Sequence, residues 1–170
     1  MIKLAKSRMS TWLMWYYYQK IKGPHYTDVP LNKQRWLTLI IGLLAMMIIN
    51  KVTIPFVQPT GNGNVDALTD LLKTLGLYML PFVVILGPIM EELLFRGFLM
   101  NWFFVGKPII SCLLSALLFG LMHGASDPIY FLSKALLGLV LAIVYYRNQN
   151  IKSNISLHIL NNLSAGLVAF

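Results

Sequence analysis

Two adjacent glutamates, an arginine four residues later and two histidines in separate apolar stretches are the side chains here best equipped for chemistry. They stand in Glu91-Glu92-Leu-Leu-Phe-Arg96, Phe119-Gly-Leu-Met-His123 and His158-Ile-Leu-Asn-Asn162. A carboxylate or imidazole can take a proton from water, and amide or guanidinium donors can hold developing negative charge, so the set suits hydrolysis. Glu91, His123 and His158 could also bind a zinc ion, since catalytic zinc takes three protein ligands and leaves one position for water. The chain has no HExxH sequence, which excludes the zincin arrangement. Its one cysteine, Cys112, stands about three helical turns before His123, too far along a helix to join the set. Metal-bound and metal-free water both remain compatible with these residue types.

Residues four apart on a helix share a face. Glu92 can therefore pair with Arg96, and His158 and Asn162 lie on one stripe. Glu91 is turned about 100° from Glu92 at 3.6 residues per turn, so one carboxylate can be braced while the other faces a cavity. Phe119 reads as packing, Asn161 as a contact between helices, and His25 as solvated.

The elements that carry these residues are apolar. Of 170 residues, 57% are hydrophobic and 12% charged, against about a quarter charged in a soluble domain. Lipid is the solvent that suits such a chain. The net charge is +8, and half of the 14 basic residues fall within positions 1–35: Lys3, Lys6, Arg8, Lys20, Lys22, Lys33 and Arg35, against Asp28 alone. Just ahead of an apolar span, with Trp12, Trp15, Tyr16, Tyr17 and Tyr18 nearby, this stretch reads as an anchor on anionic lipid and not as a nucleic-acid site. No pattern of a cleavable signal peptide is apparent. Cys112 has no partner for an internal disulfide.

Crossing the hydrocarbon layer takes about 20 mostly apolar residues. Spans are predicted at 36–57, 75–99, 108–122, 129–146 and 153–170, with kinks at Pro81, Gly87 and Pro88. A turn-rich link at 58–64 precedes a short amphipathic helix capped by Asp66. The expected fold is an all-α, polytopic transmembrane helix bundle of about five spans plus an N-terminal interfacial segment. It divides into a basic aromatic segment (1–35), a first span with its connection (36–74) and a core (75–170). Lys107, Arg147 and Lys152 make basic loops that alternate with neutral or acidic ones, which predicts a cell-membrane protein with a cytoplasmic N-terminus and an extracellular C-terminus. Met46, Met47 and Met100 are expected to face lipid, and Lys134 to snorkel to the outer surface. Counted at 1.5 Å per residue, His158 is about 9 Å from Lys152 but His123 about 24 Å from Lys107. The histidines can meet only if the third span starts below the membrane, the helices tilt, or the second span breaks near Pro88.

The three motifs together, EExxxR, FxxxH and HxxxN, resemble those of the CAAX prenyl protease and bacteriocin-processing (CPBP, or Abi) family of intramembrane proteases. The resemblance covers roughly residues 80–166. It implies catalytic roles for Glu91, His123 and His158, with Asn162 stabilising the reacting carbonyl and Glu92, Arg96 and Phe119 in support. The implied activity is an intramembrane endopeptidase acting on a membrane-associated peptide or protein, in bacteriocin processing or self-immunity. A bacteriocin-immunity protein that binds without catalysis is the alternative. A proton-coupled carrier is disfavoured, because five spans give no symmetric halves.

Overall fold

The computed structural model describes residues 12–20, 29–58, 63–103, 106–124 and 126–169, so the reading of His25 lies outside the described residues. No strand occurs among them. A short helix α1 (12–20) is followed by α2 (Lys33–Thr53), α3 (Gly63–Leu75), α4 (Gly87–Glu92), α5 (Pro108–Leu121), α6 (Pro128–Asn148) and α7 (Ile151–Ala169). The all-helical expectation holds.

Local sequence explains most boundaries. Asn32 caps α2 by accepting from the Arg35 N–H at 2.9 Å, and Asp127 caps α6 by accepting from the Ile129 N–H at 2.8 Å. Both α5 and α6 start with proline, whose missing N–H costs nothing in a first turn. α6 ends at Gln149 in the left-handed conformation, with φ 50°. Asn150 then caps the start of α7 through the Ser153 N–H, at 2.9 Å. This tight hairpin packs α6 beside α7. α3 starts at Gly63, which places Asp66 inside the first turn and not at the cap.

The predicted second span is not one regular helix. It passes through a 3-10 turn (Gly76–Met79), a π-helical stretch (Phe82–Leu86), α4, and a second π-helical stretch (Leu93–Phe103). Pro88 removes one backbone donor from this path, and wide π turns recur where side chains must be re-aimed at functional sites.

Among the described residues, two helices are long and apolar enough to cross a membrane, Lys33–Phe56 and Pro128–Asn148. The other three expected crossings do not meet that test: one changes between 3-10, π and α turns, α5 is apolar but has only 14 residues, and α7 is rich in Ser and Asn. These three are the elements that carry the chemistry-bearing residues, and their polar or irregular character follows from that.

Packing in lipid relies on close contact more than on exclusion from water. Small residues provide it here. A Cβ on Gly42 of α2 would lie 2.8 Å from Val144 Cγ2 of α6, and one on Gly138 of α6 would lie 2.8 Å from Phe119 Cβ of α5. At Gly120 a Cβ would come within 3.2 Å of the Ala135 backbone nitrogen, so α5 and α6 touch nearly backbone to backbone. Around these contacts Met46, Leu137, Leu141, Val144 and Leu157 form one buried cluster. Tyr18, Leu93, Met100, Cys112, Ala142, Tyr145 and Ile151 form another. Met46 and Met100 are therefore interior and not lipid-facing, because they fill the irregular gaps beside these glycines and the π turns. Met47 does face outward, on the α2 surface that also exposes Ile40, Leu44 and Ile48.

Candidate active site

Two neighbouring carboxylates have opposite environments. Glu92 has no exposure and a complete set of partners. Its Oε1 accepts from Arg96 Nη1 at 3.1 Å and from His158 Nδ1 at 2.9 Å, and its Oε2 accepts from Asn154 Nδ2 at 2.6 Å. Arg96, also fully buried, donates its other terminal nitrogen to the Gly138 carbonyl at 2.6 Å. One carboxylate thus ties α4, its π-helical continuation, α6 and α7 together. Glu91 keeps 34% of its side chain exposed, and its Oε2 lies 3.7 Å from His158 Nε2.

Glu91 and His123 line one cavity of about 290 Å³, with Met14, Gly87, Met90, Leu94, Phe95 and Met122. Its wall is mostly apolar, so the two polar side chains are the groups able to orient a guest. Phe119 is 2% exposed and its ring touches both imidazoles, with centroids 4.6 Å from His123 and 5.8 Å from His158. The Arg96 guanidinium sits 5.1 Å from the same ring. The nominal depth gap between the histidines is therefore closed. The short α5 and the π-helical stretches on either side of α4 bring the three motifs together.

Hydrogen bonding sets both tautomers. His123 Nδ1 lies 2.6 Å from the Phe119 carbonyl oxygen, which can only accept, so Nδ1 carries the proton. His158 Nδ1 faces the Glu92 carboxylate and donates in the same way. Each imidazole, when neutral, keeps its Nε2 lone pair for a guest.

The donor types suit zinc, and a histidine whose other nitrogen donates to a carbonyl or carboxylate is typical of a metal ligand. Among the described residues, however, no three His, Cys, Asp or Glu side chains are gathered closely enough to hold a metal ion.

Asn162 is half-buried on the His158 stripe. Its Oδ1 accepts from Asn161 Nδ2 at 3.3 Å, and Asn161 in turn accepts from Asn50 of α2 at 3.0 Å. The interhelical reading of Asn161 holds, and no bond joins Asn162 to Glu91, Glu92 or either histidine. Asn154 was not apparent from the sequence motifs, although it stands four residues before His158 on the same stripe. Lys134 is half-buried, with its Nζ 5.1 Å from the centroid of the Tyr130 ring one turn earlier on α6.

Residues 73–164 match the family described as type II CAAX prenyl endopeptidase Rce1-like. The chain belongs to that family. It is also 30% identical over 138 residues to the UPF0177 protein YvdC of Lactococcus lactis subsp. lactis (strain IL1403), covering 78% of this chain and 52% of that protein. The chain thus spans about half the length of this curated relative. No solved structure matches it. Family membership and the two long apolar helices identify a membrane protein.

Proposed function

We propose that this chain is an intramembrane endopeptidase in which Glu91 activates water against a peptide bond of a membrane-associated substrate. The observation that carries the reading is the division between the carboxylates: Glu92 is consumed by three partners, while Glu91 opens into the cavity that His123 shares. Family membership supports it.

In this reading Glu91 takes a proton from a water held between it and the Nε2 lone pairs. The water oxygen attacks the scissile carbonyl carbon, and the oxyanion is met by an amide donor, the role assigned to Asn162. As the carbon–nitrogen bond breaks, the leaving amine takes the proton back from Glu91. His158 is oriented by Glu92, and Glu92 by Arg96 and Asn154. No step is routed through a metal. The orientation follows the loop charges, with the N-terminus cytoplasmic and the C-terminus extracellular. Trimming of a peptide such as a bacteriocin precursor, or self-immunity, would be its task.

The test is incubation of the purified full chain with a farnesylated peptide ending in a CAAX box, with products read by mass spectrometry. A new carboxyl terminus on the peptide, formed with uptake of one water, is expected. Binding with no cleavage, together with an unchanged cellular phenotype in Glu91→Ala, would instead make the chain a binding protein on the same fold.

A further inference from the structure

The cavity that holds Glu91 and His123 takes part of its wall from outside the family-matched residues. Those residues are 73–164, whereas Met14 of α1 lines the cavity of about 290 Å³ beside the glutamate and the histidine. Tyr18, one turn further along α1 and 3% exposed, fixes the helix in place. Its ring lies over Gly97, where a Cβ would come within 2.7 Å, and meets the Phe98 ring edge-on with centroids 6.2 Å apart. Met14 and Tyr18 are four residues apart and share the inward face, while Trp12, Leu13, Tyr16 and Tyr17 are exposed on the other. Two more methionines complete the wall: Met90 of α4, next to Glu91, and Met122 at the end of α5, next to His123. Three elements thus each bring a methionine to the two polar groups. An unbranched thioether chain with three rotatable bonds lets such a wall re-shape around guests of different outline.

We propose that α1 is the selecting wall of this site, and that Met14 sets the size of the substrate side chain seated beside the scissile bond. The occupant is a large apolar side chain of the methionine, leucine or phenylalanine kind. The inference rests on the endopeptidase reading and adds to it a specificity residue and the class of side chain it selects. In that reading Glu91 and His123 are engaged with the water, so the remaining wall offers nothing to offset the desolvation of a charged side chain. The cavity is small for a ligand site, which suits one side chain with its peptide group. Flexible methionines admit several apolar shapes, and the helix that carries Met14 limits their bulk. Because α1 lies outside the family match, that limit belongs to the N-terminal segment of this chain and not to the shared core.

The experiment uses full-length protein in lipid nanodiscs and farnesylated peptides ending in Cys-Xaa-Xaa-Gln, each Xaa in turn being Ala, Val, Met, Phe or Glu. Mass spectrometry locates any cut and the residues that flank it. Binding is measured by anisotropy on a Glu91→Gln background, so the ranking of peptides does not depend on cleavage. With Met14 in place, Met or Phe should be preferred over Ala at one position by about 10- to 100-fold, the value of burying a large apolar side chain. Glu should be rejected at that position. Met14→Trp should narrow the site and turn the order toward Ala and Val, whereas Met14→Ala should widen it and raise Phe relative to Met. A ranking that is absent, or identical in all three proteins, overturns the proposal. Should both variants fail to fold, peroxide footprinting of the Glu91→Gln protein decides. The bound Phe peptide should protect Met14, Met90 and Met122 from oxidation and leave Met47, on the outward face of α2, unchanged; an unprotected Met14 overturns the proposal. A size ranking that shifts with Met14, while no peptide is cut, would leave the Met14 assignment standing and remove the endopeptidase reading.

Discussion

Replacing Arg96 by methionine isolates the charge balance under the site. The guanidinium is fully buried, pairs with Glu92 Oε1 at 3.1 Å and donates to the Gly138 carbonyl at 2.6 Å. Breaking a buried pair from one side costs about 3–5 kcal/mol, mainly because the other charge is stranded. Here the lower end applies, near 3 kcal/mol by that scale, because Asn154 and His158 still donate to Glu92. Methionine fills much of the space, so the loss is chiefly electrostatic. Adding Glu92→Gln removes the stranded charge and should recover about half of the loss, while Glu92→Gln alone leaves Arg96 buried and unpaired and is itself destabilising. Thermal unfolding of the four proteins in one detergent gives the double-mutant cycle. Additive losses would refute the reasoning and show that Glu92 is neutral or hydrated in the fold.

Three further outcomes follow. Asn154→Leu should remove the 2.6 Å donor to Glu92, leaving that oxygen unsatisfied at about 1–3 kcal/mol, measurable as a lower unfolding temperature. Gly97→Ala would set a Cβ 2.7 Å from the Tyr18 ring. It should displace α1, which a rise in maleimide labelling of Met14→Cys would report. At the loop clip, the Gln58 N–H, at 2.7 Å, holds the Asp127 carboxyl below its ordinary range, assisted by Ile129. A depressed carboxylate contributes stability above its unfolded value and loses it as pH falls through the folded one. Protection of the Gln58 amide, taken relative to its intrinsic exchange at each pH, should therefore fall on acidification below about pH 4, near the unfolded aspartate value, and Asp127→Asn should abolish that dependence.

Much of the site was legible because helical spacing is simple geometry. Glu92 and Arg96 at i and i+4 had to meet, and Glu91 had to face elsewhere. Long-range features were not legible. Asn154 looks like any polar residue on a membrane helix until the α6–α7 hairpin carries it to Glu92. The level of the histidines depends on π turns and a short α5, neither of which has a periodic signature. Met46 and Met100 were misplaced because hydropathy does not separate a lipid-facing methionine from a gap-filling one. The five-span expectation counted apolar length, whereas the elements that carry the site are irregular, short or polar.

The most direct test of the assignment compares Glu91→Gln with Glu92→Gln in the same preparation, measuring unfolding temperature and peptide turnover together. Glu91→Gln should unfold as the parent does and lose about 10²–10⁴ of kcat, the usual contribution of a general base, while Glu92→Gln should lose stability and turnover together. A Glu91→Gln protein that still turns over at the parental rate would contradict the central claim.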